Sequence, residues 1–294
     1  MSIYHLDGSG GGTKGEAIKT VWDNVTKEGF KPDIISGNSI MALIQVPYAI
    51  GLIRPAVMSK LNKMLETFTL DTIWRYSPIN EKGKLTARAV FRGVTGKAGL
   101  GEMSIDSVLR ELVPKDLFLK YQTHNVYADC INMSVDYKSG SRIFKSMKTV
   151  DSYEDFINYS VASASIPVFA EPVCVDGKTL FDGGVRDHSI AASVMKQHLP
   201  TETISIFSRP ENYDISKNSW EAKNVLEVLL RTIDIMNMEI SKNDELEQKK
   251  VASDLGVKLS QGFLPNVMNG PYDVNRERLN ELKKRAKLVK LIEQ

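Results

Sequence analysis

A run of glycines near the start, Gly8-Ser9-Gly10-Gly11-Gly12-Thr13-Lys14-Gly15, constrains this chain more than any other feature. Consecutive glycines carry no Cβ, so the backbone is free to turn several amides toward one point. Directly after the run, Ile18, Val21, Trp22 and Val25 recur at i, i+3, i+4 and i+7, which predicts an amphipathic helix that Gly29 ends. The glycines thus lead into a helix N-terminus, whose dipole adds to the convergent amides. Such a loop stabilises negative charge, either a phosphate or the oxyanion of an acyl-transfer transition state. Gly10, Gly12 and Gly15 fit G-x-G-x-x-G, a weak pattern alone, and the residues before it, Ser2 to Leu6, make a short, partly apolar strand. The Walker pattern fails, because Lys14 follows Thr13 and precedes Gly15. A flexible turn is the plain alternative.

Two further motifs follow. Pro32 to Ile35 reads as a buried strand, and a long apolar stretch from Ile40 reads as a helix. Between them stands Gly37-Asn38-Ser39-Ile40-Met41, the place where a strained turn lifts a nucleophilic serine out of a sheet. Taken alone, a Gly-x-Ser before a helix is more often an N-cap. Later, Val173-Cys174-Val175, Asp176-Gly177 and Lys178-Thr179-Leu180-Phe181 give a strong hairpin signal, and the second strand delivers Asp182-Gly183-Gly184. Asp-Gly-Gly is by itself a turn. Anion loop, elbow serine and strand-end aspartate together supply the stabiliser, nucleophile and base of an acyl hydrolase.

The sequence here resembles the patatin-like phospholipase family, with its G-G-G-x-[RK]-G loop, G-x-S-x-G elbow and D-G-[GA] motif. Ala162 to Phe169, Pro172-Val173 and Asp182-Gly183-Gly184-Val185-Arg186-Asp187 extend the likeness, which runs from about Ile3 to Phe207. It implies an α/β fold, a three-layer α/β/α arrangement around a mostly parallel sheet. It also implies a Ser39-Asp182 dyad and an oxyanion hole from the amides of Gly10, Gly11 and Gly12, with Lys14, Gly15, Gly37, Asn38, Gly183 and Gly184 in support. The substrate implied is a phospholipid or other lipid ester, and neither cofactor nor metal is expected. Met41 replaces the elbow's second glycine. A long side chain there is expected to open the turn and slow the enzyme, so that Met41→Gly would be faster. With a carboxylate as base, Asp182 needs burial to raise its pKa.

At 294 residues, 42% apolar and 25% charged, the chain can build a large core. We expect residues 1–210 to form the hydrolase domain and 211–294 a helical extension on the same core, including helices over Trp220 to Lys242 and Arg276 to Ile292. Asp71 to Asp106, with scattered glycines from Gly83 to Gly101, reads as mixed strand and loop. Strands are expected within Tyr121 to Tyr137 and over Thr203 to Phe207, and a helix over Ser152 to Ser163. The net charge of +2 offers no field for nucleic acid. Two cysteines and no signal-like start fit a reducing compartment, so the expected location is cytoplasmic, with peripheral membrane contact as an addition. Ala42 to Ala56 is one candidate for such contact, although burial against the sheet is the simpler reading. The basic C-terminal helix is another, with packing against the body as its alternative. Of His5, His124, His188 and His198, only His188 lies close after Asp182, and it is expected to be a polar surface or supporting histidine rather than the base. Two competing readings are an inactive binding or assembly protein of the same fold and, further off, a dinucleotide-binding protein.

Overall fold

A computed structural model describes residues 2–80, 84–212, 225–268 and 273–294. Its elements are β1 (Tyr4–Gly8), α1 (Gly15–Lys27), β2 (Ile34–Gly37), α2 (Ile40–Ile53), α3 (Pro55–Glu66), α4 (Leu70–Ile73), β3 (Trp74–Tyr76), α5 (Ala87–Val94), β4 (Glu102–Met103), α6 (Ile105–Leu112) and α7 (Lys115–Thr123). The chain continues through β5 (Asp129–Asp136), β6 (Arg142–Ser146), α8 (Tyr153–Ser163), β7 (Val173–Val175), β8 (Lys178–Asp182), α9 (Ala191–His198), β9 (Glu202–Phe207), α10 (Val225–Leu255), β10 (Lys258–Phe263), α11 (Arg276–Ala286) and β11 (Ile292–Glu293). Parallel pairing joins β10, β9, β1, β2 and β5 in that order. Antiparallel β11 closes one end, and the β7–β8 hairpin and β6 attach at β5.

Helices cover both faces, as the alternation of periodicities predicts. On one face Ile18, Val21, Trp22 and Val25 of α1 join Ile40 to Ile50 of α2, Phe156 of α8 and Leu279 of α11 in the main core. On the other, Ile190 and Val194 pack on Ile34 and Met133, and Ala192 and Met195 pack on Val251 and Leu259. Among the described residues after 211, Val251, Leu259 and Leu279 join these clusters, and the segment is not only helical: β10 lengthens the sheet by pairing with β9. Positions 220–224 of the expected C-terminal helix lie outside the described residues, as does Gly83. Among its described residues, the glycine-scattered stretch from Asp71 to Asp106 contains the helix α5, most of α4 and the start of α6, besides two short strands.

The strand registers explain why two distant sequence positions meet. Ser36 of β2 faces Ile131 of β5, and Asp182 of β8 faces Ser134, while β6 pairs with β5 over Ile131 to Val135. Because β6 holds one edge, β2 and β8 must share the other, approaching from opposite ends. Their tips therefore meet above β5, and the chain after Gly37 abuts Asp182. Asn38 bridges the gap, accepting from the Met133 amide at 3.1 Å and donating to the Asp187 carbonyl at 2.7 Å.

Candidate active site

Ser39 stands between β2 and α2 with φ 55° and ψ −127°, a backbone conformation that a residue with a Cβ holds only under constraint. The constraint is visible. Its amide donates to the Ser163 carbonyl at 2.9 Å, and the Met41 amide donates to the Asn38 carbonyl at 3.0 Å. The Ser39 hydroxyl makes no capping bond to α2. The N-cap reading of Ser39 therefore fails, and the hydroxyl is left to face Asp182.

Asp182 is buried at the end of β8. Its Oδ1 accepts from the Gly184 amide at 2.7 Å, and the Ser39 side chain lies near enough to favour its charged form. Burial pushes its pKa up to about 7, outweighing both influences. Gly183 has no room for a side chain, since a Cβ would lie 2.4 Å from the Met133 carbonyl oxygen and 2.9 Å from Asn38 Cγ.

The glycine loop passes directly over Ser39. A Cβ on Gly10 would come within 3.2 Å of Ser39 Cβ, and one on Gly11 within 2.5 Å of Ser208 Cβ. The expectation for Gly10 needs correcting. Its amide donates to the His188 carbonyl at 2.8 Å and is not free for an oxyanion. Gly11 and Gly12 differ, because neither amide reaches an acceptor among the described residues. The Gly10 carbonyl accepts from Ser208 Oγ at 2.6 Å, and in a trans peptide this turns the Gly11 N–H the opposite way. Lys14 reaches the Ser208 carbonyl with its ammonium at 3.1 Å, and burial lowers its pKa. Gly15 serves packing, since a Cβ there would lie 2.6 Å from Ile40 Cγ1 where α1 meets α2.

Met41 does not open the elbow. It is fully buried, its Cβ 2.5 Å from where a Gly37 Cβ would stand and its Cε 3.1 Å from where a Gly8 Cβ would stand. The room for its side chain comes from glycines at the tips of both strands rather than from a second glycine in the elbow.

Behind this arrangement lie residues that local pattern gives no sign of. Asp244 of α10 accepts from the amides of His188 and Ser189 at 2.7 and 3.0 Å, fixing the loop whose carbonyl holds Gly10. Burial raises the Asp244 pKa to about 8. Asp7 of β1 accepts from the hydroxyls of Ser36, Ser189 and Ser205 at 2.5, 2.6 and 3.0 Å, which is why β1 is only partly apolar. His188 lines the same cavity as Ser39, but burial lowers its pKa, and the Asp182 carboxyl accepts from the Gly184 amide rather than from an imidazole.

Gly10, Gly11, Gly12, Ser39 and Asp182 open into one cavity of about 1140 Å³. Its walls include Phe68, Leu70, Ile79, Ile166 and Phe169, and Arg276 and Arg278 stand at its polar side. Arg278 is bound to Asp273 through two bonds of 2.6 and 2.8 Å. A buried serine, a carboxyl of raised pKa and a glycine loop with two uncommitted amides beside an apolar cavity can carry acyl transfer.

Of the two stretches singled out for membrane contact, most of the first and one stripe of the second are buried, while Leu52 to Ala56 is exposed. Ile40 to Gly51 of α2 is buried throughout, and Leu279, Leu282 and Ala286 pack α11 on the body. Among the described residues no helix is long and apolar enough to cross a membrane.

A family model for patatin-like phospholipase matches residues 9–195, well over half of the chain and including the glycine loop, the elbow and the Asp182 turn. No curated protein matches the sequence. Among solved structures, VipD from Legionella pneumophila is similar at 12% identity and a TM-score of 0.37, over 86% of this chain and 67% of that one.

Proposed function

The chain belongs to the patatin-like phospholipase family, a family of lipid ester hydrolases, and on that premise we propose that it is a serine acyl hydrolase cleaving fatty-acyl esters of phospholipids or related lipids. Ser39 Oγ attacks the ester carbonyl while Asp182 takes its proton. The tetrahedral oxyanion is held by the Gly11 and Gly12 amides, and its collapse expels the alcohol, which takes up the proton from Asp182. Water then attacks the acyl-enzyme with Asp182 again as base, releasing the fatty acid and restoring Ser39. A carboxyl with a pKa of about 7 is a far better base than one of ordinary acidity, because a match to the working pH favours proton transfer. The observation that carries this reading is the strained, uncapped Ser39 whose hydroxyl faces a buried Asp182.

The test is incubation of the protein with a mixed lipid extract, followed by mass spectrometry of released fatty acids and lysolipids. Release by the parent and none by Ser39→Ala at equal folding is expected. Turnover by Ser39→Ala within a few-fold of the parent would sink the assignment. The non-catalytic reading loses the support it drew from Met41, because the elbow keeps its strained serine with methionine in place. The dinucleotide reading loses ground because the glycine loop shares its cavity with Ser39 and Asp182.

A further inference from the structure

We propose that residues 84–101, centred on α5, form the face with which this protein docks on an anionic bilayer. The inference rests on the lipid-ester reading of the site and names how that site meets its substrate. Three apolar side chains of α5 point outward, Val90 at 52%, Phe91 at 68% and Val94 at 82% exposure. Only Ala89 and Arg92 of this helix are buried. An exposed aromatic and two exposed valines on two turns of helix form a face that water does not favour.

Charge distinguishes the occupants. Residues 84–101 contain Lys84, Arg88, Arg92 and Lys97 and no Asp or Glu. Arg92 turns inward to Glu171, leaving Lys84, Arg88 and Lys97 exposed around the apolar side chains. A two-fold contact with a second copy would bring cation against cation. An anionic lipid surface instead attracts those charges, while their alkyl stems lie along the interface and the apolar side chains enter it.

The segment is also tied at both ends to residues that line the cavity. Thr86 donates through its hydroxyl to the Ser77 carbonyl at 3.1 Å, and the amides of Leu100 and Gly101 donate to the carbonyls of Val168 and Phe169 at 2.9 and 2.8 Å. Ser77, Val168 and Phe169 all line the cavity. A bilayer held by α5 therefore lies next to the cavity wall, which shortens the path of an acyl ester from the lipid phase.

The experiment is co-sedimentation of the full chain carrying Ser39→Ala with vesicles of phosphatidylcholine, with and without phosphatidylglycerol. Binding to the anionic vesicles that weakens with added salt is expected, and Phe91→Ser with Val94→Ser should reduce it by about tenfold or more. The same pair, placed in the active protein, should leave hydrolysis of a soluble short-chain ester unchanged and lower hydrolysis of vesicle lipid. Because sedimentation does not use catalysis, an inactive parent that still binds would overturn the hydrolase reading and leave the docking face standing. Equal binding by the double variant, or no binding by the parent, would overturn the docking face. So would light scattering that shows a dimer in the parent and a monomer in the variant, which would assign α5 to a second copy.

Discussion

Asp182 is where residue-scale physics and function pull in opposite directions. Its pKa rises from the usual 3.8 to about 7 because burial penalises the charge. The unfolded chain ionises near 3.8 and the folded chain resists until about 7, so between those values the folded state binds more protons and loses stability as pH rises. Above about 7 the full penalty stands. Asp182→Asn is nearly isosteric, keeps an acceptor for the Gly184 amide and cannot take the Ser39 proton. We expect it to be inactive yet more stable than the parent at pH 8, by on the order of 1–4 kcal/mol, with the gain gone near pH 4. In the parent, kcat/KM should climb through pH about 7 and then level off. Thermal unfolding of both proteins across this range, beside a pH-rate profile, checks the pair of statements. An Asp182→Asn protein no more stable at pH 8, or activity already level at pH 5, would contradict them.

At the scale of elements, the elbow shows how a departure from a motif is absorbed. The motif expectation makes Met41 an obstruction, whereas β1 and β2 end in Gly8 and Gly37 and leave room for its side chain. Met41→Gly should therefore unfold earlier and hydrolyse more slowly, the reverse of what the motif alone suggests. Removing a buried methionine side chain costs about 2–5 kcal/mol. Met41→Leu, which conserves volume, should cost less than about 1.5 kcal/mol. A faster Met41→Gly enzyme of equal Tm would restore the motif reading. What was legible in the sequence had local causes: the 3.6 period of α1, the Asp-Gly turn before β8 with Asp176 and Gly177 at φ 50° and 71°, the Ser152 cap of α8. α5 was not legible, because Gly93, Gly96 and Gly99 mask a two-turn helix whose ends are fixed by bonds to Ser77 and Val168. Nor was it legible which glycine-loop amides stay uncommitted, since the acceptor that occupies Gly10 is nearly the whole family-matched region away, at His188.

On the scale of the whole molecule, the C-terminal region is part of the machinery it was expected only to accompany. α10 supplies Asp244 to the loop that holds Gly10, and β10 supplies a strand to the sheet that carries β1 and β9. These contributions join segments more than fifty residues apart, which no local pattern records. Asp244, raised to about 8, gives the molecule a second pH signature. The lowered pKa values of buried His5 and His188 act below their ordinary 6.5, where the unfolded chain protonates and the folded chain does not. Above 6.5 the carboxyls Asp182 and Asp244 dominate among these groups, so Tm should fall between pH 6.5 and 8, and Asp244→Asn should flatten that fall. A parent whose Tm rises over this window would contradict the assignment. The central claim, that one serine of the entire chain is activated by one buried carboxyl, is tested most directly by a fluorophosphonate probe and intact-mass measurement with peptide mapping. The account predicts a single adduct per chain, on Ser39, absent from Ser39→Ala and strongly slowed in Asp182→Asn; no adduct, or one on another serine that persists in Ser39→Ala, would contradict it.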